Sequence, residues 1–195
     1  GLVRHIYVRH AAATGEVMVC VVANSEKLPR EDALAALLQA RVPGLKSVIL
    51  NINTRAGNAI LGEKQRTIWG ADAIEDVLCG LRFRISPKSF YQVNRAQAEV
   101  LYRKALEAAN LTGQERVLDL YCGTGTITLC LASRAKEAIG VEIIEAAVRD
   151  AGENAKRNGI TNAKFFCADA GQAAQRLSAE GERPDVIVVD PPRKG

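Results

Sequence analysis

The hydrophobic pattern changes rhythm part-way along the chain. From Arg116 onward, short apolar runs rich in β-branched residues alternate with stretches of helical spacing. "RVLDLY", "EAIGVE", "KFFCAD" and "DVIVVD" read as strands, and roughly Thr126–Arg134 and Ile144–Asn158 as helices, the second stopped at Gly159. Near-continuous apolar strands separated by helices predict a parallel sheet covered on both faces. Residues 1 to 92 follow another plan, that of a smaller α+β unit. There "HIYVRH" and "EVMVCVVA" form a hairpin around Thr14-Gly15. Pro29 opens a helix that carries Leu34, Leu37, Leu38 and Val42 on one face and ends at Pro43-Gly44. "SVILNINT" and "AILGEKQRTIWG" pair around Ala56-Gly57-Asn58, and "DVLCG" with "LRFRIS" precedes Pro87. Asn94, with Gln97 three positions on, has the spacing of a capping box, and Ala98, Leu101, Tyr102, Ala105 and Ala109 make the stripe of the helix it starts. The expected division is a domain over 1–92 and a second over 93–195.

Composition adds bounds to this picture. At 195 residues and 48% hydrophobic content the chain can bury a core in one or two domains. No run approaches the ~18 apolar residues of a membrane span and the N-terminus lacks a signal-peptide layout, so a cytoplasmic protein is expected. Cys20, Cys79, Cys122, Cys130 and Cys167 are odd in number and never spaced as CxxC, which predicts reduced thiols and no metal site. The net charge of +4 is compatible with a nucleic-acid partner. Its distribution says more: Arg4, His5, Arg9, His10, Lys64, Arg66, Arg82, Arg84, Lys88 and Arg95 fall in the first half, while acids in the second gather at strand ends.

Those strand ends carry the candidate chemistry. The first runs into "LDLYCGTGTITL", where Gly123 and Gly125 permit a tight turn that a ligand can approach. Glu142 ends the second strand, 19 positions after Gly123, where nucleotide-binding sheets place an acid for ribose hydroxyls. Asp169 ends the third and Asp190 the fourth. Each acid taken singly reads equally well as a helix cap or a solvated strand end; four ends in register point to a site. A dinucleotide is disfavoured, because Thr128 stands where GxGxxG needs its last glycine, and there is no P-loop lysine. A ligand with ribose, adenine and positive charge but no phosphate fits, and S-adenosylmethionine is such a ligand.

"FYQVN" before a helix, "DLYCGTGT", "GVE", "CADA" and the closing "DPPRKG" together resemble the RNA uracil-5 methyltransferases, which act on uridine of ribosomal or transfer RNA. The resemblance runs from about Phe90 to Gly195, and residues 1–92 look like that family's central domain. It implies a Rossmann-like class I methyltransferase α/β fold with a smaller N-terminal α+β domain. It implies cofactor contacts from Gln92, Tyr121, Gly123, Gly125 and Thr126, where the family often has Asn. It also implies Glu142 on the ribose, Asp169 near the adenine, and Asp190 near the methionine end or the target base. Phe90 and Tyr91 read more readily as core residues. Arg193 follows the two prolines, where adenine and cytosine amino methyltransferases usually carry an aromatic.

Carbon 5 of uracil is a poor nucleophile. It becomes one when a thiolate adds to carbon 6, and a base must later remove the carbon 5 proton. In the resembling family that cysteine and base lie beyond the DPPR strand, so the 195 residues are expected not to methylate alone. Cys122, Cys130 and Cys167 read as core thiols. The family's sheet order, 3-2-1-4-5-7-6, would leave Val186–Val189 as an apolar edge, expected to be covered by the first domain, another chain or further residues. Ribosomal RNA is the expected partner ahead of tRNA, with Arg4, His5, Arg9 and His10, or Lys88, Arg95, Arg193 and Lys194, meeting phosphates. Two readings stay open beside this one: an amino-group methyltransferase of adenine or guanine, and a non-catalytic module that binds RNA or nucleosides.

Overall fold

The structure is a computed structural model that describes residues 1–92, 94–181 and 183–191. It divides into two compact units, one of residues 1–77 and 84–88, the other of residues 78–83 and the chain from Ser89 onward.

In the first unit, β1 (Val3–His10), β2 (Val17–Ala23), β3 (Leu45–Ile52) and β4 (Lys64–Gly70) form one sheet in that order. β2 and β3 run parallel, joined by the crossover helix α1 (Glu31–Arg41), and the outer pairs are antiparallel. Every residue of "VMVCVVA" in β2 is buried, as its unbroken apolar run requires of a strand covered on both faces. β1 lies at the edge with a register shift between Val3 and His5, and Ile6 and Val8 are exposed. Arg4 donates to the carbonyls of Asn53 (2.9 Å) and Arg55 (2.6 Å), and the Arg9 guanidinium lies 5.2 Å over the Tyr7 ring. His5 and His10 face solvent. The expected stripe of α1 is realised in part: Leu34 packs beside Val21, Leu28 and Leu50, but Leu37 is exposed and Ala35 is the buried residue. The small alanine lets the helix sit close against β3 and β4, which turns Leu37 outward.

β5 (Ile74–Leu78) and β6 (Leu81–Ile85) pair as a hairpin whose two turn residues, Cys79 and Gly80, have φ of 52° and 79°. Positive φ at both central positions is the tight hairpin turn whose twist matches its strands.

The second unit begins with α2 (Arg95–Ala109), capped as its spacing predicts: Gln97 N donates to Asn94 Oδ1 at 3.2 Å. A parallel sheet follows in the order β10-β7-β8-β9, from β7 (Arg116–Asp119), β8 (Glu137–Glu142), β9 (Ala163–Cys167) and β10 (Val186–Val188). Its helices are α3 (Thr126–Ala132), α4 (Glu145–Arg157) and α5 (Ala170–Ala179), the last not anticipated from the pattern. The Rossmann-like α/β arrangement of a methyltransferase is thus present. Val117, Ile127, Leu129 and Leu131 form a core with Phe83, Ala98 and Tyr102, and Leu118, Ile139, Val141 and Ala173 pack together in another cluster. At the strands' N-terminal ends Glu137 pairs with Arg116 (2.8 Å) and Lys164 (2.5 Å), tying β7, β8 and β9 together. β10 is a sheet edge; its Ile187 and the Val189 that follows it are each 55% exposed, and among the described residues no strand pairs with its outer side. Among the described residues no helix is long and apolar enough to cross a membrane.

Candidate functional site

Because the four strands are parallel, their C-terminal ends share one edge of the sheet. Open α/β sheets bind ligands there. β7 leaves this edge through residues 120–125, and its path is fixed by backbone bonds to both neighbours: Leu120 N to Val188 O (3.1 Å) and Cys122 N to Val141 O (3.0 Å). Gly123 (φ 54°) and Gly125 (φ 84°) both take the left-handed conformation that a side chain disfavours. Their surroundings differ. A Cβ at Gly123 would meet nothing within 4 Å, so this glycine leaves the backbone open to approach. One at Gly125 would lie 3.0 Å from Ala151 Cβ and 3.1 Å from the Phe165 ring, so this glycine lets the turn pack against α4 and β9. Gly140 on β8, which the sequence reading passed over, makes room in the same way: a Cβ there would stand 2.6 Å from Phe165.

Glu142, half-buried at the end of β8, is bonded directly to the turn. Its carboxylate accepts Gly123 N (3.2 Å) on one oxygen and Ile144 N (2.9 Å) on the other. Ile143 and Ile144, which follow it, are 67% and 60% exposed. Such a pair in "VEII" was a readable signal, since apolar residues past a strand end need a partner.

Beneath the turn lies a buried polar layer that spacing did not reveal. Asp119, at the last position of β7, accepts the Thr128 hydroxyl at 2.7 Å and, more weakly, Tyr121 N at 3.4 Å. Burial pushes its carboxyl up to about 6, against the lowering effect of the Thr128 bond. Asn154 of α4, wholly buried, donates to Thr124 O at 3.1 Å and holds the turn from behind. Tyr102 of α2 shares a hydrogen bond of 3.0 Å with the Thr126 hydroxyl, and burial raises its phenol to about 12.

The other expected site residues lie around this centre. Tyr121 is exposed at the turn, Thr126 is half-buried at the start of α3, and Gln92 is half-buried ahead of α2. Asp169 and Asp190 stand two residues beyond the ends of β9 and β10, and both are exposed. Asp169 is a helix cap as well, accepting Gly171 N (2.9 Å) and Gln172 N (3.3 Å) at the start of α5. Arg193 and Lys194 lie outside the described residues. Two expectations are corrected, those for Phe90 and Cys167. Phe90 is 71% exposed, while Tyr91 packs on Phe83 with ring centroids 6.4 Å apart. Cys167 is exposed, because β9 is the outer strand of the sheet, and its thiol donates to Ile143 O at 3.5 Å. Cys122 and Cys130 are buried as expected, and burial pushes both thiols well above their ordinary value.

Residues 111–191 match a family model described as "Methyltransferase domain". This stretch has the fold of a methyltransferase domain. The whole chain is 49% identical to an uncharacterized RNA methyltransferase of Caldanaerobacter subterraneus and 46% identical to one of Halalkalibacterium halodurans, covering 43% of each. It therefore spans about two-fifths of the length of these curated relatives. Among solved structures it is similar to the Pyrococcus abyssi tRNA (uracil-54, C5)-methyltransferase in complex with S-adenosyl-L-homocysteine. That match has 27% identity and a TM-score of 0.76, over 98% of this chain and 44% of the other. The tRNA m1G37 methyltransferase of M. jannaschii shares the fold at 12% identity and a TM-score of 0.52, over 87% of this chain and 50% of that one.

Proposed function

We propose that this methyltransferase domain binds S-adenosylmethionine at the C-terminal edge of its sheet and belongs to an enzyme that methylates carbon 5 of uridine in RNA. The observation that carries the reading is the bond between Glu142 and Gly123, which joins a strand-end acid to an open glycine turn. The donor set fits the ligand. Glu142 can accept from ribose hydroxyls, Ile143 and Ile144 offer apolar surface to an adenine, and Asp190 draws the positive end of an amino acid. Gln92, Tyr121, Thr126 and Asp169 complete the contacts. Bound there, S-adenosylmethionine supplies an electrophilic methyl group.

Uridine as the target rests on "FYQVN" and "DPPR" in this sequence, and the similarity over 98% of the chain to an enzyme named for uracil C5 methylation supports it. Ribosomal RNA is the substrate we favour. The tRNA named for that structural relative makes tRNA the second reading. The thiolate that attacks carbon 6 comes from elsewhere in the longer enzyme. Cys20, Cys122 and Cys130 are held in the thiol form by burial, Cys20 at about 11, and partial desolvation raises the thiol of the exposed Cys79. Cys167 donates to the carbonyl beside Glu142, on the cofactor's side. The first unit meets the RNA, with His5 and His10 exposed on β1.

The test is nucleoside analysis by mass spectrometry after incubating unmodified ribosomal and transfer RNA with S-adenosylmethionine. A longer protein containing this chain should form 5-methyluridine, and the 195 residues alone should form none. Methylated adenosine or guanosine in its place would move the reading to an amino-group methyltransferase.

A further inference from the structure

Tyr102 has no part in the contacts assigned so far, yet its setting calls for a reason. It is 2% exposed on the inner face of α2, among Phe83, Ala98, Ile127 and Leu131, where phenylalanine would fill the same space. A buried hydroxyl costs stability unless it is bonded. This one is bonded to Thr126 Oγ1 at 3.0 Å, the first residue of α3 and the one that follows Gly125. Burial, helped by the nearby carboxylates of Asp119 and Asp190, raises the phenol to about 12, so it stays protonated through the working pH range.

With Tyr102 as donor, the oxygen of Thr126 is the acceptor and its own proton is released for another group. Thr126 is half-buried at the site, while Tyr102 is sealed in the core. The cofactor's amino-acid end carries an ammonium and a carboxylate. Asp190 suits the ammonium, and the carboxylate then needs a donor. We propose that Tyr102 is a positioning residue, orienting the Thr126 hydroxyl so that its proton is given to the carboxylate of the cofactor's amino-acid moiety. This rests on the cofactor reading above and deepens it.

The experiment compares two ligands by calorimetry on the 195-residue chain: S-adenosylhomocysteine, and methylthioadenosine, which keeps the nucleoside and lacks the amino acid. Tyr102→Phe and Thr126→Val should each weaken S-adenosylhomocysteine binding by roughly fivefold to tenfold and leave methylthioadenosine unchanged. The double variant should be no weaker than Thr126→Val, and Thr126→Ser should bind like the unsubstituted chain. Equal losses for both ligands would mean general damage to the site and overturn the inference, as would unchanged S-adenosylhomocysteine binding in Tyr102→Phe. If Tyr102→Phe fails to fold, Thr126→Val and Thr126→Ser decide the matter by the same comparison. An unsubstituted chain that binds neither ligand refutes the cofactor reading itself, and this inference with it.

Discussion

Asp119 is the residue whose behaviour is most unlike its place in the sequence. It ends a strand, as Glu142 does, but it is 1% exposed and turned inward onto Thr128. Its folded-state value of about 6 lies above the ordinary 3.8, so the folded protein holds a proton that the unfolded chain releases between those values. This contribution to stability is complete below about pH 4 and is lost as pH rises through about 6. Asp119→Asn removes the titration, so its stability should fall less than that of the unsubstituted chain between pH 4 and 7. At pH 7 the variant should be more stable by roughly 1 to 3 kcal/mol, read from denaturant midpoints. A variant less stable at pH 7, with the same slope, would contradict the assignment. The sequence hid this pair for a physical reason. Thr128 was informative only as a missing glycine, and nothing in its spacing says that a helix of seven residues turns its hydroxyl back onto the preceding strand.

At the scale of elements, the pattern served best where a strand is buried on both faces or a cap is explicit. β2, β8 and the start of α2 lie where the apolar runs and the Asn94 cap put them. α5 escaped because "AGQAAQRLSA" is short and alanine-rich, with Ala173 as its one buried residue, too weak a stripe to read. Its start signal was visible all the same in Asp169, which the sequence offered equally as a cap and as a site acid. The structure gives Asp169 the capping bonds, and the proposed adenine contact would be a second duty for the same carboxylate. The two duties separate by substitution. Asp169→Ala should cost about 1 kcal/mol of stability, while Asp169→Asn, which keeps a capping oxygen, should cost little. If the charge also serves the cofactor, both variants bind S-adenosylhomocysteine more weakly. If it serves only as a cap, Asp169→Asn binds as tightly as the unsubstituted chain.

For the molecule as a whole, the sheet order β10-β7-β8-β9 puts the glycine strand between its two acid-tipped neighbours, which is why Glu142 and the 120–125 turn meet. That convergence was legible in the sequence because strand ends in a parallel sheet share an edge. The exposure of Phe90 was not, because an aromatic residue is read as core until a fold shows it outside, whereas Ile143 and Ile144 past the end of β8 gave a readable signal. The meeting of Glu142 with the turn bears on one claim, that this edge holds S-adenosylmethionine. Calorimetric titration of S-adenosylhomocysteine into the 195-residue chain and its Glu142→Ala variant tests it most directly. One site per chain is expected, weakened at least tenfold by the substitution as ribose hydrogen bonds to a charged acceptor are lost. No binding to the unsubstituted chain, or equal binding by the Glu142→Ala variant, would contradict it.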